Sequence, residues 1–217
     1  MCANAKSVCE IGGNIGCFAV FGATAAPQAA YRVYEPNPIT LKSLHKNVCI
    51  NNLSNVEVFG AAVVGDPEIK EITLHIPVQE TGKQATGAYV DNSEGIDRPS
   101  IESFVVPTQY GGAILGVDLL KLDVEGSEHQ ILLSMEKSLK ESLPIIMVEV
   151  RRRTPKLREW IMRFVKDNNY QIWALSYPTL KRVSVERMKD IVLQDDYGTR
   201  DLLLILSSRG AVIQSFT

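Results

Sequence analysis

Short apolar runs alternate with stretches of helical periodicity along most of the chain. Val8 to Ile11 is the first run, and Ile15, Phe18, Ala19 and Phe21 to Ala23 continue beyond a glycine turn as a helix. Strands are predicted near 7–11, 32–35 and 56–59, with Leu41, Leu44 and Val48 on one face of an intervening helix. Asn37-Pro38 supplies that helix with an N-cap and a proline at its first position. A buried strand over 117–124 and a fifth over 145–150 follow, and Ser127-x-x-Gln130 between them has the form of a capping box. The helix it opens carries Leu132, Met135 and Leu139 inward. Thr154-Pro155 caps the next helix, where Leu157, Trp160, Ile161, Phe164 and Val165 form an apolar stripe that reads as core. Tyr170–Leu175 and Asp201–Leu206 supply two last strands.

This alternation predicts an α/β fold with a mostly parallel sheet covered on both faces. The texture changes between Ile72 and Pro107, where short strands such as 73–78 and 102–106 sit among Gly, Thr, Asn and Ser. We read a β-rich insertion over about 66–112, between the third and fourth core strands. Loops of this kind often select substrate, which makes Tyr89, Asn92 and Tyr110 candidate contacts, though each is also an ordinary loop residue.

Composition narrows the class. A chain of 217 residues with 45% hydrophobic content forms one domain with one sizeable core. A formal charge of −2 disfavours a nucleic-acid partner. Cys2, Cys9, Cys17 and Cys49 show no metal-ligand spacing and read as small core residues in a reducing, cytoplasmic compartment. No apolar run reaches membrane-spanning length, and the signal-peptide-like pattern of Lys6 followed by the apolar stretch 15–26 is interrupted by Glu10 and Asn14.

The chemistry lies where strands end. Gly12, Gly13 and Gly16 permit positive φ and a close approach of ligand to backbone, and Glu10 stands just before them as an acceptor. The spacing is not the dinucleotide fingerprint, since Asn14 stands where its second glycine would fall, which disfavours a nicotinamide-dependent oxidoreductase. Glu35 ends the second strand, where an acid can take both ribose hydroxyls. Gly60, Ala61 and Ala62 are small enough to let a flat ring lie against the chain. Asp123 and Glu125, two apart on a strand, would share a face.

The ordered set Glu10-Ile-Gly-Gly-Asn-Ile-Gly16, Tyr34-Glu-Pro-Asn-Pro38, Asn47 with Asn51, and Lys121-Leu-Asp-Val-Glu-Gly-Ser-Glu128 resembles the FkbM family of S-adenosylmethionine-dependent methyltransferases. The resemblance runs from about residue 8 to 175 and implies a Rossmann-like class I methyltransferase fold with a seven-stranded sheet, its last two strands antiparallel at one edge. It implies that Glu10 and the turn Gly12, Gly13, Asn14 and Gly16 hold the methionine end of the donor. By the same resemblance Glu35, with Pro36 and Asn37, serves the ribose, Ala61 and Ala62 the adenine, and Asp123 the donor's amino group or transferred methyl.

The expected reaction is O-methylation of a small-molecule hydroxyl, as on a sugar or secondary metabolite. The alternatives are N-methylation and a non-catalytic binding module. Either Glu125 or His129 acts as general base, or Asp123, Glu125 and Glu149 hold Mg²⁺, or these groups orient substrate and cap backbone. Arg151–Arg153 is either a solvated run or a reader of an anionic substrate group. The chain departs from the family in Glu10 for the usual Asp and Gly13 for the usual Ala. The Leu-Asp pair expected before the fourth strand is not evident between Pro107 and Gly116, the N-terminal covering helices are either missing or outside this sequence, and residues after 175 match only loosely.

Overall fold

The structure, a computed structural model, describes residues 4–77, 89–90, 101–176 and 179–212. Asn92 and the side chain of Tyr89 lie outside the described residues. The main sheet is built from β1 (Ser7–Ile11), β2 (Ala30–Tyr34), β3 (Val56–Phe59), β8 (Leu119–Leu122), β9 (Ile145–Glu149), β10 (Tyr170–Ser176), β11 (Thr179–Val183) and β12 (Asp201–Leu206). A second sheet holds β4 (Ala62–Val64), β5 (Glu71–Pro77), β6 (Tyr89–Val90) and β7 (Ile101–Tyr110). The helices are α1 (Cys17–Ala25), α2 (Pro38–Ile50), α3 (Glu128–Ser142), α4 (Pro155–Asp167) and α5 (Leu193–Tyr197).

The main sheet has the order β11-β10-β12-β9-β8-β1-β2-β3, parallel from β3 to β9 and antiparallel beyond. It therefore has eight strands rather than the expected seven. The extra one, β11, is Thr-Leu-Lys-Arg-Val folded back antiparallel on β10, with Ser176 opposite Thr179. From β1 the chain passes to β2 on one side, while β8 pairs on the other, so the order reverses at β1. Ligands of open α/β sheets bind at the carboxyl ends of strands at such a reversal.

Alternation along the strands divides the core between two faces. Cys9, Ile11, Leu120, Leu122, Ile146 and Val148 pack under α3 and α4, against Leu132, Met135, Trp160 and Phe164. Val8, Tyr31, Val33 and Leu119 pack on the other face with Ala19, Ala23 and Leu44. Trp173, Leu203 and Ile205 extend that second face across β10 and β12, while Ile172 and Ala174 join the first. Trp160 stacks on Phe164 and donates to Glu136 Oε2, whereas the buried indole Nε1 of Trp173 has no acceptor among the described residues.

The expected β-rich insertion is the second sheet, with order β4-β7-β5-β6 and a small core of Ala62, Leu74, Ile76 and Val106. It starts at Ala62, earlier than the pattern indicated. A Cβ on Gly65 would stand 2.6 Å from the carbonyl oxygen of Gln130, so this glycine lets the sheet seat against α3.

Several local expectations need correction. Ser127 makes no capping bond; Glu128 instead turns back and accepts from the amides of Val124 and Gly126, giving α3 an acid at its positive end. Thr154 likewise leaves α4 uncapped and donates to the Arg151 carbonyl. Asn37 does cap α2, accepting from Ile39 N at 2.9 Å. Among the described cysteines only Cys9 is a core residue, its thiol pushed up by burial to about 12, while Cys17 and Cys49 are exposed and Cys2 lies outside the described residues. No helix among the described residues is long and apolar enough to cross a membrane.

Candidate active site

A cavity of about 500 Å³ opens at the carboxyl ends of β1, β2 and β8. One wall is the glycine turn. Gly12 has φ 87°, and a Cβ there would come within 1.8 Å of the Asp123 carbonyl oxygen, so neither strain nor space admits another residue. Asn14, rather than Gly13, shares the left-handed conformation, with φ 48°. Gly12 and Asn14 line the cavity, and Gly13 and Gly16 support the turn behind them.

Glu35 is the best-anchored polar group of this wall. Its Oε2 accepts from Asn14 N at 2.7 Å and its Oε1 from Asn37 N at 2.8 Å, so one carboxylate joins the glycine turn to the start of α2. Burial raises its pKa, and the two amides oppose that rise. Each oxygen keeps a lone pair for a ligand hydroxyl. Pro36, Asn37, Ala61 and Ala62 complete this end. The opposite wall is one that sequence reasoning missed. Val64, Ile72 and Leu74 of the second sheet line the cavity, with Asp66 and Ile69 of the connection between β4 and β5. The strand read over 73–78 carried no sign of which face would meet a ligand.

Glu10 does not line the cavity. Its carboxylate is 1% exposed, accepts from Tyr31 Oη at 2.8 Å and pairs with Lys121 Nζ at 3.4 Å. Burial raises its pKa, opposed first by Lys121. Asp123 does line the cavity and pairs with Lys121 at 3.7 Å.

Glu125 lies at the rim of the same cavity, but not through strand alternation with Asp123. β8 ends at Leu122, and Glu125 has φ 60°, a left-handed conformation that a non-glycine residue holds only under constraint. Its side chain contacts the guanidinium of Arg151, whose Nε also donates to Glu149 Oε2 at 2.7 Å. Arg200 Nη1 stands 3.6 Å from the other oxygen of Glu149. Burial, then Asp123, raises the Glu149 pKa. Arg151 is therefore an internal partner of two carboxylates rather than part of a solvated run, while Arg152 and Arg153 are exposed. The cation between Glu125 and Glu149 is a guanidinium, and no group of three potential metal ligands occurs among the described residues.

His129 is not among the residues lining the cavity. Burial lowers its pKa, followed by Lys156 and Arg163 of α4. Tyr110 ends β7 and is also absent from the lining.

The sequence profile of the methyltransferase FkbM domain matches residues 10–172. The chain belongs to this family. "Methyltransferase 1" of Beauveria bassiana is 24% identical over an alignment of 158 positions that covers 66% of this chain and 64% of that protein. "Methyltransferase sdnD" of Sordaria araneosa is 22% identical over an alignment of 191 positions that covers 76% of this chain and 73% of the relative. Among solved structures, methyltransferase FkbM from Methylobacillus flagellatus is similar with a TM-score of 0.55 at 14% identity. That likeness covers 92% of this chain but 43% of the other, and it supports the class I methyltransferase fold of this FkbM domain.

Proposed function

We propose that this FkbM domain is an S-adenosylmethionine-dependent methyltransferase acting on a hydroxyl of a small molecule. The observation that carries the reading is the Glu35 carboxylate, fixed by two backbone amides beside a glycine turn and facing a cavity at the sheet's reversal point. The residues present fit the donor. Glu35 would take the ribose hydroxyls, Ala61 and Ala62 with Ile72 and Leu74 would flank the adenine, and the Gly12 turn with Asp123 would take the amino-acid end. When bound, the donor supplies a sulfonium-activated methyl group.

The chain's own contribution is positioning and proton transfer. Asp123 and Glu125 stand at the end of the cavity toward β9, and the Glu125 carboxylate, held by Arg151, would accept the hydroxyl proton. The reading is tested by calorimetric titration with S-adenosylmethionine, S-adenosylhomocysteine and NAD, followed by transfer of labelled methyl to neutral hydroxylated acceptors and amines. Binding of the first two but not NAD is expected, with label on oxygen; label on nitrogen alone overturns the acceptor class, and binding of none overturns the donor.

A further inference from the structure

Lys121 has no part in the site as built so far, because it does not line the cavity. Yet it touches two residues that do. Strand register places it beside Glu10, and its ammonium lies 3.4 Å from Glu10 Oε1, 3.5 Å from the Gly12 carbonyl oxygen and 3.7 Å from Asp123 Oδ2. Phe18 of α1 closes over it, with the ammonium 5.6 Å from the ring centroid. Its side chain is 11% exposed, and its three oxygens span β1, the glycine turn and the end of β8.

We propose that Lys121 is a positioning residue of the donor site: anchored on Glu10, its ammonium sets the Asp123 carboxylate and the Gly12 carbonyl as a pair of acceptors for the donor's amino-acid end. The proposal rests on the donor reading above. Glu10 then acts at one remove, as the buried anchor of Lys121 rather than as a ligand group, which accounts for an acid at that position whose carboxylate never reaches the cavity.

Charge and geometry can be separated here. Two carboxylates and one ammonium leave one net negative charge, suited to a single ligand ammonium. If Lys121 is removed, Glu10 is left buried without its cation and takes up a proton, so the net charge is unchanged. What is lost is the tether on Asp123, which is 43% exposed and free to turn to solvent without it.

The test compares S-adenosylhomocysteine with methylthioadenosine, which shares the nucleoside and the sulfur but lacks the amino-acid end. Both are titrated into the native chain, Lys121→Met, and Lys121→Met with Glu10→Gln, the last keeping a fold free of an orphaned buried charge. Affinity for S-adenosylhomocysteine should fall about tenfold in both variants, with methylthioadenosine within about twofold. Equal losses for the two ligands, or no loss for either, overturn the proposal. A native chain that binds neither ligand overturns the donor reading instead.

Discussion

The two ends of the cavity hold their carboxylates by different means. Glu35 is 7% exposed and both its oxygens are fixed by main-chain amides, so its position is set once β1, β2 and α2 have formed. Glu125 is 36% exposed, sits on a left-handed residue and is held by one guanidinium that also serves Glu149. The first arrangement is a property of the fold and the second of a few side chains. Under the proposed function, the fixed end suits the donor, and the end that substitution can redraw suits the acceptor.

The strongest test of the fixed end is Gly12→Ala. A left-handed φ and a carbonyl 1.8 Å from the new Cβ should cost roughly 3 kcal/mol or more, read as a lowered denaturation midpoint. Glu35→Gln comes next. An amide must turn its NH₂ toward one of the two backbone N–H groups, so affinity for S-adenosylhomocysteine should fall roughly 10- to 100-fold by calorimetry. Arg151→Ala should leave that affinity within about twofold while slowing transfer about tenfold, with partial rescue by Arg151→Lys. If Arg151→Ala weakened donor binding as much as Glu35→Gln, the contrast between the ends would collapse.

The smallest effect is on pH dependence. Burial raises Glu10 and Glu35 above their ordinary value of 4.5, so above that pH the folded chain retains protons that the unfolded chain has released. Their contribution to stability is full below 4.5 and is lost as pH rises through the folded values. Thermal midpoints measured upward from pH 4.5 should therefore fall less steeply in Glu35→Gln than in the native chain.

Elements with a strong local signal were legible in the sequence. The apolar runs of β1, β8 and β9, the Asn37-Pro38 start of α2 and the stripe of α4 all lie where periodicity put them. Glu35 and Asp123 were locatable because each stands at a strand end, a place that sequence can mark. Orientation was not. Glu10 has the right position for a ligand group, but the pleat turns it toward Tyr31, away from the cavity. Ser127 leaves α3 uncapped, and Glu128 instead ties down the loop before it, its longer side chain reaching the amides of Val124 and Gly126. The pairing of Arg151 with Glu125 spans two strand ends, and nothing local in an arginine run announces it.

The chain has two tryptophans, and the sheet separates them. Trp160 is stacked on Phe164 and hydrogen-bonded to a carboxylate on one face, while Trp173 is buried on the other with no acceptor for its indole nitrogen among the described residues. Each face thus carries its own optical reporter. With Trp160→Phe or Trp173→Phe, the remaining emission follows one layer alone, and the order in which the two layers loosen on heating becomes visible in a cuvette.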